Sequence, residues 1–135
     1  MANNSSNQSN GKQVLLSCKN LWKIYEKDRV QVPVCSNLCF DIYENEFLCI
    51  VGPTGSGKST ILKMIAGLES PSMGSLTLRD KPVTGPDRDR GMIFQEYAML
   101  PWRTVLENVN LGMEFASEDK KTRDEKTMKY INMVG

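Results

Sequence analysis

The sequence predicts an α/β fold built around one strand, glycine-rich loop and helix, and three observations support this prediction. The apolar run Phe47–Val51 is followed by a glycine-rich segment and then by the helical pattern Ser59–Leu68. Alternating apolar residues on both sides of this unit indicate further strands. From Thr104 onward the spacing of apolar residues becomes helical. A chain of 135 residues forms one domain at most, and we expect that domain over residues 13–135.

The elements before the loop can be assigned in order. Residues 1–12 are polar and of low complexity, so we expect a disordered tail there. Strands are predicted at Val14–Ser17 and at Ser36–Ile42, with the charged turn Lys27–Arg29 between them. The second strand alternates, which places three apolar residues on one face: Leu38, Phe40 and Ile42.

The elements after the loop continue this pattern. Ser75–Arg79 is another alternating segment and is predicted as a strand. The turn Gly85–Pro86 follows, and Gly91–Phe94 is then predicted as a short buried strand. This strand would deliver Gln95 at its C-terminal end, which is where open α/β sheets place their ligand sites.

Two helices are predicted in the last third of the chain. Thr104–Glu107 fits a capping box and begins the first of them. The second is expected at about Glu118–Val134, with opposite charges four residues apart that indicate a solvated face. Its buried side is predicted to consist of three apolar residues: Met128, Ile131 and Val134.

The glycine-rich segment fits the pattern G-x-x-x-x-G-K-[ST] at every fixed position. Glycines allow a tight turn with inward-pointing amides, and the helix N-terminus adds partial positive charge, so such a loop binds polyphosphate. Lys58 would reach the β- and γ-phosphates, and the Ser59 hydroxyl would bind Mg²⁺. The alternative is a glycine-rich turn that matches by chance. The predicted phosphate site comprises Gly52, Pro53, Thr54, Gly55, Ser56, Gly57, Lys58, Ser59 and Thr60.

Composition excludes several other classes of function. Seventeen basic and sixteen acidic residues are mixed along the chain, so no basic stripe indicates a nucleic-acid partner. No apolar run approaches the length of a membrane span, and the N-terminal residues do not resemble a signal sequence, so a cytoplasmic location is expected. The four cysteines lack metal-site spacing and are expected to be reduced and mostly in the core. Without histidine, the chain has no histidine general base.

Beyond the loop, three segments together resemble the ATP-binding-cassette ATPases that drive membrane transport: Leu21–Tyr25, Gly85–Gln95 and Tyr97–Val109. The last segment is similar to importers of nitrate, sulfonates, taurine and related small anions. The resemblance implies a P-loop NTPase core with a partial parallel sheet, an N-terminal antiparallel β subdomain and the start of a helical subdomain from Trp102. It also implies ATP and Mg²⁺ as cofactors and ATP-driven uptake of a small anion as the function.

The resemblance also implies roles for individual residues. Tyr25 matches the aromatic residue that stacks on adenine; the alternative is a half-buried strand tyrosine, and Trp22 nearby is expected to pack in the fold. Gln95 matches the glutamine that contacts Mg²⁺ and the attacking water; the alternative is a solvated amide at a strand end. The implied catalytic residues are therefore Gln95 and Lys58, and the implied metal ligands are Ser59 and Gln95.

The sequence departs from the family pattern after Gln95. It contains no acidic pair following four apolar residues, no serine-glycine-glycine signature and no switch histidine. We therefore expect an N-terminal portion, about half, of a cassette ATPase, in which Phe47–Val51 presents unpaired backbone and apolar faces. The implied partners are transmembrane permease subunits, a second ATP-binding subunit and, indirectly, an extracytoplasmic binding protein, at the inner face of the cell membrane. The alternative is a nucleotide-binding fragment without hydrolytic or transport activity, or one that does not fold.

Overall fold

The computed structural model describes residues 13–96 and 98–135 of the chain. These residues fall into two compact units, divided between Met92 and Ile93. The predicted disordered tail, 1–12, lies outside the described residues. None of the described helices is long and apolar enough to cross a membrane.

The first unit contains a four-stranded antiparallel sheet. Its strands are β1 (Val14–Lys27), β2 (Val30–Tyr43), β3 (Met73–Leu78) and β4 (Lys81–Pro82), in the order β2-β1-β3-β4. The predicted charged turn is confirmed: Lys27 pairs with Val30, and the two residues between them have φ angles of 52° and 62°. Left-handed backbone at both central positions matches the twist of a two-residue hairpin.

The core of the first unit lies between this sheet and helix α1 (Lys58–Ile65). Ile61 and Met64 point from the helix into a cluster of sheet residues: Leu16, Cys18, Leu21, Cys35 and Leu76. The predicted apolar face of β2 is confirmed, because its members are partly buried against this cluster: Leu38, Phe40 and Ile42. Burying each large apolar side chain contributes about 1.5–3 kcal/mol, so this contact fixes α1 on the sheet.

Two predicted strands are not formed. Phe47–Val51 and Gly91–Phe94 are without strand structure, and neither pairs with any strand in the described part of the chain. Phe47 and Ile93 are 94% and 99% exposed, so the predicted unpaired apolar faces at Phe47–Val51 are confirmed, whereas the predicted burial of Gly91–Phe94 is wrong. A strand requires a neighbour that accepts and donates its backbone hydrogen bonds. The sheet of the described residues is therefore antiparallel throughout.

The second unit contains two helices, α2 (Val105–Phe115) and α3 (Lys120–Val134), joined by a short loop. The predicted capping box is confirmed. The backbone N–H of Glu107 donates to Thr104 Oγ1 at 3.3 Å, and the Thr104 N–H donates to Glu107 Oε2 at 2.8 Å. At the start of α3, Asp119 accepts from the Thr122 N–H at 3.0 Å. Both helices thus begin at residues whose side chains satisfy free backbone donors.

Of the three residues predicted on the buried side of α3, Ile131 is partly buried, and the prediction is wrong for the other two. Met128 and Val134 are 44% and 86% exposed, whereas Thr127 is fully buried. The Thr127 hydroxyl donates to Asn110 Oδ1, and Asn110 Nδ2 donates to Asp124 Oδ1 at 2.8 Å. The contact between the helices is therefore partly polar, and apolar periodicity does not report it. The predicted solvated face is confirmed by the exposed residues Lys121, Glu125 and Lys129.

Candidate functional site

The glycine-rich loop leads directly into α1 and is open to solvent. Residues 52–56 are exposed, and Gly57 is the N-cap of the helix. Gly55 and Gly57 have φ angles of 82° and 88°, which lie in the left-handed region that favours glycine. No side chain caps the start of α1. The first backbone N–H groups of the helix thus remain available to an anion.

Gly57 is required for a second reason, which is close packing. A Cβ atom at this position would lie 2.9 Å from the Val34 carbonyl oxygen and 3.1 Å from Cys35 Sγ, both on β2. At Gly52, a Cβ atom would lie 2.8 Å from Ser56 Oγ within the loop itself. A side chain at Gly57 would therefore have to displace backbone, whereas one at Gly52 would have to displace the Ser56 hydroxyl.

Lys58 folds back over the loop from the first position of α1. Its ammonium group donates to the carbonyl oxygens of Gly52 at 2.9 Å and Pro53 at 2.8 Å. These bonds hold a positive charge at the beginning of the loop. The next residue, Ser59, is exposed and lies in the first turn of the helix. A cation, a hydroxyl and uncapped amides therefore lie next to one another in the loop and the first turn of α1, and these are the donors that a polyphosphate requires.

Tyr25 lies on β1 and contacts the segment that follows α1. Its hydroxyl donates to Glu69 Oε2. Partial burial, together with the bond to Glu69, raises the pKa of the Tyr25 phenol. The predicted aromatic residue and the predicted loop thus both lie in the first unit, and Tyr25 is tied to the chain just beyond the helix that the loop begins.

Sequence reasoning missed the charged residues around Tyr25. The Lys23 ammonium lies 5.0 Å from the centroid of the Tyr25 ring and 3.4 Å from Glu69 Oε2. Lys63 Nζ lies 3.8 Å from Glu69 Oε1. Partial burial acts to raise the pKa of Glu69, but the hydrogen bonds from Tyr25 and Lys23 outweigh it, so the pKa is lowered. Lys23 and Tyr25 are two residues apart on a strand, so they share one face of it. This spacing in the sequence could have predicted that they lie close together.

The remaining predicted residues lie elsewhere. Gln95 is exposed at a bend in the second unit. Trp22 is half-buried in β1, and its carbonyl oxygen accepts from the Ser72 N–H at 2.8 Å. Over residues 13–96 and 98–135, no three histidine, cysteine, aspartate or glutamate side chains cluster as metal ligands. The site that the first unit itself assembles consists of the loop, α1 and Tyr25.

Comparison with known proteins identifies the family of this chain. The family described as ABC transporter matches residues 35–135 of the chain. The chain belongs to the ABC transporter family. This ABC chain is 46% identical over 91% of its length to an uncharacterized ABC transporter ATP-binding protein of Methanocaldococcus jannaschii, of which it covers 46%. It is 39% identical over 89% of its length to the nitrate import ATP-binding protein NrtD of Synechocystis, of which it covers 45%.

Two further comparisons agree. The ABC chain is 36% identical over 90% of its length to the taurine import ATP-binding protein TauB of Yersinia pestis, of which it covers 46%. A solved ATP-binding cassette, a dimer in a post-hydrolysis state bound to ADP and Pi, superposes with a TM-score of 0.78 at 29% identity. That superposition covers 88% of this chain and 56% of the other. The chain thus spans about half the length of the curated relatives that it matches.

Proposed function

We propose that this chain is the ATP-binding part of an ABC importer subunit and that its loop binds the phosphates of Mg·ATP. The observation that carries the proposal is the convergence of the Lys58 ammonium and the uncapped start of α1 on one glycine loop. The family membership and the ATP-binding relatives support it. ATP supplies the transferable phosphoryl group, and the residues of the chain bind and orient it.

Each predicted residue has a defined task in this proposal. Gly52 and Gly57 keep the turn free of side chains, so that the backbone can approach the phosphates closely. Lys58 would neutralise charge on the terminal phosphates, and its ammonium group already lies at the beginning of the loop, where it donates to the carbonyl oxygens of Gly52 and Pro53. Ser59 would provide an oxygen ligand for Mg²⁺, which prefers such hard donors. The ring of Tyr25 would stack on the adenine base.

The transport function is proposed for the protein as a whole. Relatives that import nitrate and taurine support uptake of a small anion. The partners would be transmembrane permease subunits and a second ATP-binding subunit, with an extracytoplasmic substrate-binding protein acting indirectly. The dimeric cassette found by comparison supports the subunit pairing. The location would be the cytoplasmic side of the cell membrane, where the subunit is held peripherally by the permease.

A second candidate function is nucleotide binding without hydrolysis. The sequence after Gln95 contains no acidic pair preceded by four apolar residues, and such a pair orients Mg²⁺ and water in phosphoryl transfer. On this alternative the 135 residues would hold Mg·ATP and release it unchanged. Phosphate release by the purified chain would reject this alternative, which requires that none is formed.

The test of the site is calorimetric titration of the chain with Mg·ATP, together with a thermal melt. We expect saturable binding and a raised melting temperature, because a ligand of the native state stabilises it. Lys58→Ala should lower the affinity about 10- to 100-fold, the range expected for loss of a hydrogen bond to a charged group. Lys19→Ala removes an equal charge from an exposed strand position and should bind like the wild type. Unchanged binding in Lys58→Ala would reject the site.

A further inference from the structure

Tyr25 is held by two contacts although it lies near the exposed end of a hairpin. Its hydroxyl donates to Glu69. The Lys23 ammonium lies over one face of the ring, 5.0 Å from the centroid. An exposed tyrosine without such contacts would sample several rotamers. These contacts favour one orientation of the Tyr25 ring. The Lys23 ammonium covers one face of the ring and not the opposite face.

Glu69, which accepts from the tyrosine hydroxyl, is itself fixed from two sides. Lys23 Nζ lies 3.4 Å from its Oε2 atom, and Lys63 Nζ lies 3.8 Å from its Oε1 atom. Lys23 also donates to the carbonyl oxygen of Ser70 at 2.9 Å. The Glu69 side chain is 22% exposed, so these ion pairs are less screened than pairs in open solvent. The ion pairs therefore hold the carboxylate where it accepts the hydrogen bond from the Tyr25 hydroxyl.

Glu69 lies just after the helix that follows the phosphate loop. Helix α1 begins at Lys58, and Glu69 follows its C-terminal end. The N–H groups of Leu68 and Glu69 both donate to the Lys63 carbonyl oxygen, at 2.9 and 3.4 Å. The backbone that carries Glu69 thus remains attached to the helix. Helix α1 and the short segment bonded to its end thus join the phosphate loop to the residue that holds the aromatic ring.

We propose that Glu69 is a positioning residue, which holds Tyr25 so that its ring meets a purine base at a fixed place relative to phosphates bound in the loop. The proposal rests on the proposed function, because it assumes a nucleotide at this site. On this proposal Glu69 affects the part of the ATP affinity that comes from the base. The part that comes from the phosphates depends on the loop. The two contributions can therefore be separated with a ligand that has phosphates and no base.

The experiment compares calorimetric binding of ATP and of inorganic tripolyphosphate, both with Mg²⁺, to the full chain. Glu69→Ala should lower the affinity for ATP about three- to tenfold, the effect of leaving one side chain to be ordered on binding. Its affinity for tripolyphosphate should stay at the wild-type value. Tyr25→Phe should reproduce this selective loss, and the double variant should lose no more than either single one. Glu69→Gln keeps a hydrogen-bond acceptor and should restore most of the affinity for ATP.

Two results would overturn the proposal. One is an affinity for ATP that Glu69→Ala leaves unchanged. The other is an equal loss of affinity for both ligands, which would mean that Glu69 supports the fold of the loop. A second measurement does not require nucleotide: relaxation of isotope-labelled tyrosine rings should show a more mobile Tyr25 in Glu69→Ala. If the wild type binds neither ligand, the proposed function fails, and an equally rigid ring in this variant would reject the positioning role separately.

Discussion

A methyl group added at Gly57 should destabilise the chain more than one added at Gly55. The two glycines have φ angles of 88° and 82°, so alanine at either position carries a similar conformational cost of about 1–2 kcal/mol. Their surroundings differ. A Cβ atom at Gly57 would lie 2.9 Å from the Val34 carbonyl oxygen, whereas a Cβ atom at Gly55 has nothing within 4 Å. The pair of variants therefore separates the cost of the contact from the cost of the backbone angle.

The size of the difference in stability depends on the atom that the added Cβ at Gly57 would contact. The Val34 carbonyl belongs to the backbone of β2, so it cannot rotate away as the end of a side chain would. Overpacking of this kind costs about 1–3 kcal/mol, and it applies to Gly57→Ala alone. Since 1 kcal/mol shifts the melting temperature of a domain of this size by about 3–5 °C, Gly57→Ala should melt roughly 3–15 °C below Gly55→Ala.

The assay is thermal unfolding followed by far-ultraviolet circular dichroism, without nucleotide and at one heating rate. Both variants should melt below the wild type, because each places a side chain in left-handed backbone. Equal melting temperatures for the two variants would refute the reasoning. That result would mean that the loop moves away from β2 at no cost, and the close approach of Gly57 to Val34 would then have no energetic weight.

Further predictions concern buried polar and thiol groups. Thr127→Val should reduce the free energy of unfolding in urea by about 1–3 kcal/mol, because it leaves the buried Asn110 amide oxygen without its donor. Thr127→Ser keeps the hydroxyl and serves as the control. A Val variant as stable as the Ser variant would contradict this prediction. Burial raises the pKa of the Cys18 thiol to about 11 and also raises that of Cys35, so both should be alkylated more slowly at pH 8 than the exposed Cys39. Peptide mass spectrometry after pulses of iodoacetamide measures the rates, and equal rates at Cys18 and Cys39 would count against the assignment.

The features that sequence predicted correctly are those whose causes are local. The turn before Val30 needs two residues that tolerate left-handed backbone, and the capping box at Thr104 needs a glutamate three positions later. The helix after the glycine-rich loop is similar, because the glycines, the lysine and the helical residues are contiguous in the chain. Each of these signals is complete within a few residues, so no knowledge of distant contacts is required.

The features that sequence predicted wrongly depend on partners far along the chain. Gly91–Phe94 has the composition of a buried strand, but strand structure requires a neighbour, and composition does not supply one. Thr127 is a polar residue outside the apolar pattern of α3, and its hydroxyl is bonded to Asn110, seventeen residues earlier. The contact between Glu69 and Tyr25 spans 44 residues and involves no recognisable motif. Pairings of this kind emerge only when the elements are placed in space.

The buried bond between Thr127 and Asn110 also restricts how the two helices of the second unit can align. A purely apolar interface tolerates sliding, because one contact between methyl groups resembles another. A slide of one helical turn, about 5.4 Å, would separate the hydroxyl from the amide and leave both without partners in a setting from which water is excluded. Alternative alignments of α2 and α3 are thereby penalised. The hydrogen bond between Thr127 and Asn110 therefore favours a single alignment of the two helices.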